Sequence, residues 1–336
     1  MNILLTSTGR RTYMVNYFKD VLLGQGEIHA ANSAQTYSLS IADKYVITPL
    51  IYDDNYIDFL LNYCINENIN AVIPLFDIDL PILSKSKSKF SEHNIEIVVS
   101  DSQIIEVCND KWLTHNFLNK NAFKTPISFI DINDTLNAIK HGLIRYPLII
   151  KPRWGMGSIG IYEAENEEEL KILYRKTFRS IQNSYLQYES NQELDKSIII
   201  QEKLSGEEYG IDIFNNLSGE LLACVPKKKI AMRAGETDSA EIIFNEKLID
   251  IGGKLSSIMK HVGNLDVDCF FHNNEFYILE MNCRFGGQYP FSHLAGVNFP
   301  KAVVEMLNNN KVDSTLLTPN YNTIGFKDLV PVTIKL

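Results

Sequence analysis

The stretch "LDVDCFFHNNEFYILEMNCRFGG", residues 265–287, carries acidic and amide side chains on two apolar segments with the pattern of neighbouring β-strands. Alternate side chains of a strand point to opposite faces, so Glu280 and Asn282 share one face. The face of Asp268 depends on the turn between the strands. A turn of even length pairs Asp268 with Leu279, whereas a three-residue turn places Asp268 opposite Glu280. An asparagine of the turn can adopt the left-handed conformation, which is compatible with the odd turn.

Two carboxylates and an amide oxygen on one face are hard ligands. They suit Mg²⁺, which keeps several waters and bridges substrate phosphates. Carboxylates on a buried face without a metal would be costly. The alternative is that Glu280 and Asn282 lie on a solvated face while Tyr277, Leu279 and Met281 face the core. The pattern favours the metal site.

Upstream of this stretch, "YPLIIKPRWGMGSIGIYEA", residues 146–164, is predicted to form a strand, a glycine-rich turn and a second strand. A hairpin of this kind can fold backbone N–H groups over phosphates, while Lys151 supplies a point charge. The spacing excludes the P-loop pattern. By itself the segment favours an ordinary hairpin over a phosphate-binding one, because glycines are common in hairpin turns.

A further strand, in "IIIQEKLSGEEYGIDIF" at residues 198–214, ends in Glu202, Lys203 and Leu204. The end of such a strand exposes backbone groups that can hydrogen-bond an adenine edge, and Glu208 could accept hydrogen bonds from ribose hydroxyls. The alternative is a strand–turn–strand unit with solvated charges.

The first hundred residues alternate short apolar runs with helical patterns, which predicts a parallel sheet flanked by helices. Ligands on such sheets bind at the carboxyl ends of the strands. Two of these ends are polar, "TSTGRR" and "FDID", so we expect Arg10, Arg11, Asp77 and Asp79 to contact substrate. These segments could instead be a helix N-terminus and a solvated loop.

Composition limits the class of protein. The chain has 336 residues, 45% of them hydrophobic, which suffices for two or three packed modules. Its 41 acidic and 32 basic side chains give a net charge of -9 without a basic stripe, so nucleic-acid binding is not expected. No apolar run reaches membrane-spanning length, and no signal-peptide pattern precedes the first strand. The five cysteines form no CxxC pair, which favours reduced thiols and a cytoplasmic location.

The order and spacing of four motifs carry a family resemblance over nearly the whole chain. They are "NDK" ending at Lys111, "IIKPRWGMGSIG", "QEKLSGEEYGIDIF", and Asp268 followed by "LEMNCRFGG". In this order the chain resembles the ATP-grasp superfamily, and it is similar to one synthetase half of the carbamoyl phosphate synthase large subunit.

The resemblance implies an α/β fold (α+β overall). Residues 1–105 would form an N-terminal Rossmann-like pre-grasp domain, and residues 106–310 the ATP-grasp domain. Within the latter, ATP would lie between a small lid subdomain at about 115–200 and a large metal-bearing subdomain at about 201–310. Residues 311–336 match no motif and are expected to supply a closing strand.

The resemblance also implies a role for each matched residue. It places Lys111 and Lys151 at the ATP phosphates, with Gly157 and Ser158 covering them. Adenine would be bound by Glu202, Lys203 and Leu204, and ribose by Glu208. Mg²⁺ (or Mn²⁺) would be bound by Asp268, Glu280 and Asn282, and the acyl-phosphate would lie beside Arg284, Gly286 and Gly287. The basic segment "KKKIAMRAGETDS" resembles a loop that closes over the γ-phosphate, which makes Lys229 and Arg233 candidates.

The activity implied is ATP-dependent carboxylate–amine ligation through an acyl-phosphate, with release of ADP and phosphate. The partners would be a small-molecule carboxylate and amine, and a homodimer is expected by analogy. Arg10 and Arg11 would bind an anionic group, and Asp77 or Asp79 a cationic one, which would allow an amino acid as the carboxylate.

Three alternatives remain at this stage. The chain could phosphorylate bicarbonate or carbamate while a partner delivers ammonia, although a single half is not expected to make carbamoyl phosphate alone. It could be a non-catalytic ATP-binding regulator. A nicotinamide dehydrogenase is disfavoured, because "TSTGRR" offers one glycine where GxGxxG is needed.

Overall fold

The computed structural model describes residues 1–156 and 159–334. Its first part is a parallel sheet of five strands in the spatial order β3-β2-β1-β4-β5. The strands are β1 (Ile3–Thr6), β2 (Ile28–Asn32), β3 (Lys44–Ile47), β4 (Ala71–Pro74) and β5 (Glu96–Ile97), and the helices are α1 (Thr12–Leu22), α2 (Tyr37–Ile41), α3 (Tyr56–Asn66), α4 (Asp79–Lys85), α5 (Lys87–Ser91) and α6 (Ser102–Asn109). The prediction of a parallel Rossmann-like sheet is confirmed.

The strand order of this sheet positions the first part of the site. The chain passes from β1 to β2 on one side and returns to β4 on the other, so a crevice opens between the carboxyl ends of β1 and β4. The loops that carry Arg10, Arg11 and Asp77 start at these two ends.

The second part is a four-stranded antiparallel sheet in the order β6-β9-β7-β8. Its strands are β6 (Ser128–Phe129), β7 (Leu148–Pro152), β8 (Tyr162–Ala164) and β9 (Ile198–Glu202), and its helices are α7 (Lys111–Lys120), α8 (Ile132–Lys140), α9 (Glu167–Gln182) and α10 (Gln187–Ser190). A 3₁₀ helix follows at Asn191–Lys196. Asn166 caps α9, and three glutamates occupy its first turn, where the helix dipole favours negative charge.

The third part is a six-stranded antiparallel sheet in the order β14-β13-β10-β11-β12-β15. Its strands are β10 (Glu207–Asn215), β11 (Leu221–Arg233), β12 (Glu236–Ile242), β13 (Gly263–His272), β14 (Glu275–Asn282) and β15 (Thr323–Phe326), and its helices are α11 (Glu246–Met259), α12 (Tyr289–Leu294) and α13 (Phe299–Leu307). A 3₁₀ helix at Ser314–Leu317 precedes β15, which pairs with β12 at the edge of the sheet.

The register of β13 and β14 settles the face of Asp268. A two-residue turn joins the strands, with Asn273 and Asn274 both left-handed at φ 47° and 63°. This even turn alone would pair Asp268 with Leu279. A β-bulge makes Leu279 the extra residue, and Asp268 therefore pairs with Glu280. Asp268 and Glu280 therefore share one face of the sheet, through a bulge rather than through an odd turn.

The hydrophobic cores show which sheets share a packed interior. Leu4 and Val72 of the parallel sheet belong to the same buried cluster as Ile211 and Val267 of the six-stranded sheet. The four-stranded sheet packs around a separate cluster that includes Ile150. No helix in the described part of the chain is long and apolar enough to span a membrane.

Candidate active site

Oxygen-bearing side chains of β13 and β14 line one cavity of about 160 Å³. Asp268 and Glu280 face each other across the strand pair, and Asp266 pairs with Asn282 in the same ladder. Burial raises the pKa of Asp268, and the charges of Asp266 and Glu280 also raise it, whereas the ammonium group of Lys229 opposes the shift without cancelling it. Among the described residues no three carboxylate, thiol or imidazole side chains converge on one point. Asp268, Glu280 and the amide of Asn282 fit a magnesium ion that keeps several waters.

Glu280 lies between two lysines from different elements. Its Oε1 is 3.2 Å from Nζ of Lys111, at the start of α7, and 3.8 Å from Nζ of Lys151, on β7. Burial alone would raise the pKa of Glu280, but the two ammonium groups outweigh it and lower the pKa to about 2. Burial lowers the pKa of Lys151 to about 8. Both lysines are thus buried beside Glu280.

A buried ion pair fixes these lysines. Asp110 caps α7 by accepting hydrogen bonds from the backbone N–H groups of Trp112 and Leu113. The same carboxylate holds Arg153 in a bidentate pair, with Nε–Oδ1 and Nη2–Oδ2 distances of 2.8 and 2.7 Å. The backbone N–H of Lys111 donates to the carbonyl of Arg153. The pair therefore ties the start of α7 to the end of β7.

Sequence analysis missed both members of this pair, although they adjoin matched residues. Asp110 precedes Lys111, and Arg153 lies two positions after Lys151. The signal that could have revealed Asp110 is its position at a helix N-cap. Nothing in the local sequence indicates its long-range pairing with Arg153.

Two loops cover the lysines and carboxylates. The first is the glycine-rich loop, where the ammonium of Lys111 donates to the carbonyl of Gly155 and Met156 extends over the cavity. The second is the turn between β11 and β12, from which Gly235 lines the same space. Gly157 and Ser158, predicted to cover the phosphates, lie outside the described residues.

The lysine and arginine predicted on the closing loop lie in different surroundings. Nζ of Lys229 is 2.6 Å from Oδ1 of Asp268 and 3.8 Å from Oε2 of Glu208. Lys229 therefore lies near both Asp268, predicted to bind the metal, and Glu208, predicted to bind ribose. Arg233, at the end of β11, pairs instead with Asp238, with an Nε–Oδ1 distance of 2.9 Å. Lys229 joins the carboxylate cluster, and Arg233 lies on an exposed face beside it.

The residues predicted at adenine follow the end of β9. Leu204 is buried, whereas Lys203 pairs with Glu163 of β8 at 2.5 Å. Oε1 of Glu202 accepts a hydrogen bond from the backbone N–H of Ile127 at 2.8 Å. The side chain and the backbone N–H of Glu202 are therefore both occupied by Ile127.

Arg284 joins the first part of the chain to the third. Its guanidinium is 2.8 Å from Asp77, after β4, and 2.9 Å from Asp266, on β13. Burial opposes the charge of Arg284, but the two carboxylates outweigh it and raise its pKa. Nε of Arg284 and Oδ1 of Asp77 are buried and have no hydrogen-bond partner among the described residues. Both unpartnered atoms are available to a ligand.

Asp266 is a site residue that sequence reasoning missed. It lies two residues before Asp268, and this alternation was the available signal. Gly286 packs against it so closely that a Cβ at position 286 would overlap the carboxyl group. At Gly287, by contrast, a Cβ would meet only Nζ of Lys327, at 3.8 Å. The first glycine therefore makes room for Asp266, and the second lies in open space.

The two predicted arginines of the first loop differ in burial. Nη1 of Arg11 donates to the carbonyl of Phe285 at 2.6 Å, which places it on the cavity wall. Arg10 is 94% exposed and lies 3.8 Å from Glu236. Lys327, in the C-terminal segment that carried no motif, lies 3.5 Å from the same glutamate. Arg11 thus belongs to the cavity, and Arg10 to its rim.

Asp79 is turned toward the loop after β1. Its oxygens accept hydrogen bonds from the hydroxyls of Thr6 at 2.6 Å and Ser7 at 2.7 Å. Burial raises the pKa of Asp79 to about 6. The structure brings Asp77 to Arg284, whereas both oxygens of Asp79 are taken by its own domain.

Comparison with known proteins identifies the family. The family model of the ATP-grasp domain matches residues 108–288, and that of the PylC-like N-terminal domain matches residues 3–98. The chain belongs to the ATP-grasp family, whose members are ATP-dependent ligases.

Curated relatives and solved structures share this architecture. The carbamoyl-phosphate synthase of Methanobrevibacter smithii is 22% identical over 307 residues, which cover 85% of this chain and 74% of the relative. The D-alanine–D-alanine ligase of Petrotoga mobilis is 24% identical over 287 residues, 80% of this chain and 87% of the relative. The biotin carboxylase domain of Hydrogenobacter thermophilus 2-oxoglutarate carboxylase, solved with MgADP, ADP and bicarbonate, has a TM-score of 0.74 at 14% identity and covers 93% of this chain and 70% of that chain. ATP and Mg²⁺ are the cofactors that these comparisons support for the family in general.

Proposed function

We propose that the chain is an ATP-dependent carboxylate–amine ligase that forms an amide or peptide-like bond through an acyl-phosphate and releases ADP and phosphate. The observation that carries this proposal is the convergence of Asp268, Glu280, Asn282 and Arg284 on one cavity. Three buried lysines surround it, and loops from two subdomains cover it. Such a cavity suits phosphoryl transfer, which needs charge neutralisation and positioning more than covalent chemistry from the protein.

The chain's own residues would act in the following way. Lys111 and Lys151 would exchange their contacts with Glu280 for contacts with phosphate oxygens, and Arg284 would stabilise the acyl-phosphate. Asp268, Glu280 and Asn282 would hold Mg²⁺, which when bound neutralises charge on the phosphate oxygens. The glycine-rich loop and the turn at Gly235 would exclude water, since hydrolysis competes with capture by an amine.

The remaining assignments complete the proposal. ATP would lie between the second and third parts, with adenosine held by the backbone at 202–204 and by Glu208, and phosphates covered by Gly157 and Ser158. Lys229 would reach the γ-phosphate from the closing loop, and Arg233 would also reach it if the loop shifts. Arg10 and Arg11 would hold an anionic group of the substrates, and Asp77 a cationic one.

Three further assignments belong to the same proposal. Asp79 would act by fixing the loop that carries the two arginines, and Gly286 and Gly287 would shape the space beside the acyl-phosphate.

We further propose Mn²⁺ as an alternative metal, a homodimer and a cytoplasmic location. Light scattering on the purified chain measures the oligomeric state.

The proposal is tested by product chemistry. The purified chain is incubated with ATP and Mg²⁺ and with acids and amines in pairs, and ADP release and product mass are measured. Hydroxylamine is added in parallel, because it converts an acyl-phosphate to a hydroxamate without an amine substrate. We expect ADP release that depends on one acid and hydroxamate formation with that acid. The Arg284→Met variant should lose both by on the order of a hundred-fold.

The relative named carbamoyl-phosphate synthase supports a second candidate, which is phosphorylation of bicarbonate or carbamate with ammonia from a partner protein. ADP release with bicarbonate and ammonium as the only added substrates would favour this candidate over the first. Tight ATP binding without ADP release in any mixture would instead favour a non-catalytic regulator.

A further inference from the structure

Two cavities lie on either side of a tyrosine pair that bridges the first and second parts of the chain. The rings of Tyr52 and Tyr188 stack with centroids 4.1 Å apart and planes 13° apart. One cavity, of about 390 Å³, contains Arg10 and Arg11. The other, of about 590 Å³, lies between α4, α6 and α10 and has no role in the function proposed above. Both are lined by the same two tyrosines.

The second cavity, which we name the acidic cavity, differs from the first in charge. Its lining contains four carboxylates and one ammonium group, which are Asp53, Asp54, Glu106, Glu189 and Lys85. The arginine-lined cavity contains two guanidinium groups and one carboxylate, which are Arg10, Arg11 and Glu236. A concave surface with an excess of one sign attracts ligands of the opposite sign. The acidic cavity therefore suits a cation, and the other an anion.

The acidic cavity continues toward the candidate active site. Glu189 and Asn109 line both this cavity and a narrow passage of about 20 Å³. The passage is also lined by Asp77, Lys111 and Glu280, and therefore reaches the place where phosphate would lie. A ligand in the acidic cavity has its inner end beside the residues proposed to hold the acyl-phosphate.

At the inner end, the carboxylate of Glu189 and one oxygen of Asp77 lack hydrogen-bond partners in the described part of the chain. Asp77 is 5% exposed, and its Oδ1 is buried without a hydrogen bond, while Oδ2 holds Arg284. Glu189 makes no salt bridge or side-chain hydrogen bond to a described residue. Burial and the nearby charge of Asp77 raise the pKa of Glu189 to about 7. A buried oxygen without a partner, such as Oδ1 of Asp77, is costly, and an ammonium group between it and Glu189 would remove this cost.

We propose that the acidic cavity admits the amine substrate as a small protonated aliphatic amine, whose ammonium group is held by Glu189 and Asp77 beside the acyl-phosphate. The ammonium group would pass a proton to Glu189, and the neutral nitrogen would then attack the acyl carbon and form the C–N bond as the C–O bond breaks and phosphate leaves. The acid would then occupy the opposite, arginine-lined cavity, so that the two substrates approach Arg284 from the two sides of the tyrosine pair. This inference rests on the proposed function and assigns the site of its second substrate. Glu189 therefore determines specificity for a cationic amine.

The test separates amine binding from acid activation. For the Glu189→Gln variant, we expect the KM of the amine found by screening to rise by about ten-fold or more, since a charge-assisted hydrogen bond is lost. Hydroxamate formation from the acid with hydroxylamine should stay within about two-fold of wild type. Glu168→Gln is the matched control, because Glu168 is exposed on α9 of the same subdomain. It should change neither quantity.

Binding of 1,4-diaminobutane, measured by calorimetry in the absence of ATP, gives a readout that needs no turnover. The Glu189→Gln variant should weaken it by about ten-fold, and 1,4-butanediol, of equal length but uncharged, should not compete. Glu106→Gln, at the exposed outer wall, should weaken it by about two- to five-fold and keeps the test valid if the first variant fails to fold.

The outcomes distinguish this inference from the function on which it rests. Hydroxamate formation with an unchanged amine KM in Glu189→Gln would overturn the amine site and leave the ligase proposal standing. Diamine binding that both cavity variants leave unaltered would also overturn it. Absence of hydroxamate with every acid would contradict the ligase proposal itself.

Discussion

Replacing Glu280 by Gln tests whether this carboxylate compensates the two site lysines. The pKa of Glu280 is lowered to about 2, which corresponds to about 3 kcal/mol of stabilisation of its ionised form. The side chain is 30% exposed, so solvent screening reduces the figure to about 2 kcal/mol. We expect Glu280→Gln to lower the free energy of unfolding at pH 7 by about this amount. Because the pKa is lowered on folding, the difference from wild type should shrink as the pH falls from about 4 toward 2.

The assay is urea unfolding without nucleotide, combined with ADP release at saturating ATP and Mg²⁺. ADP release should fall on the order of a hundred-fold, since a proposed metal ligand is lost. Glu275→Gln is the matched control, because Glu275 begins the same strand and faces Lys124 at 3.7 Å but is 52% exposed. It should cost less than about 1 kcal/mol and leave turnover intact. Equal destabilisation by the two variants, or ADP release by Glu280→Gln at a rate near wild type, would refute the reasoning.

Two other substitutions test packing and burial. Gly286→Ala should displace the Asp266 carboxyl group, lower the free energy of unfolding by about 1–3 kcal/mol and reduce ADP release. Gly287→Ala, with open space at its Cβ, should behave as wild type. Thermal unfolding measures the difference, and equal midpoints for the two variants would contradict the close approach seen at Gly286. Burial raises the pKa of Asp79 to about 6, so wild type should lose about 3 kcal/mol between about pH 4 and 7, as the buried carboxyl group ionises. Asp79→Asn should lack this loss in urea unfolding at a series of pH values, and parallel pH profiles for the two proteins would disprove it.

The sequence predicted the fold well because its signals are local. Alternating apolar runs and helices indicated the parallel sheet, and the pattern from Leu148 to Ala164 indicated the hairpin of β7 and β8. The face of the sheet on which Asp268 lies was harder to predict, because it depends on both the turn and the position of a bulge. Alternation fixes faces only while the register is unbroken. The side-chain packing that places the bulge at Leu279 involves residues distant in sequence.

The contacts between site residues were harder to predict from the sequence than the site residues themselves. Lys111 and Glu280 could be assigned from motifs, but their contact spans 169 positions of the chain and depends on how two sheets close on each other. The pair of Asp110 with Arg153 is likewise a tertiary contact. Lys229 and Arg233 lie on one strand, yet the ladder shifts after Lys229 and the strand ends at Arg233, so they have different surroundings.

The charge pairing in the cavity links the two expected ligands of this site. Glu280 is held by Lys111 and Lys151, and Asp268 by Lys229, so each of the two proposed carboxylate ligands pairs with a lysine proposed to contact phosphate. A divalent cation alone would have to displace ammonium groups that cannot leave the cavity, and a triphosphate alone would meet unshielded carboxylates. When both bind, the carboxylates would turn to the metal and the lysines to the phosphates. We therefore predict that binding of the metal and of the nucleotide is positively coupled, so that by linkage each raises the affinity for the other by the same factor.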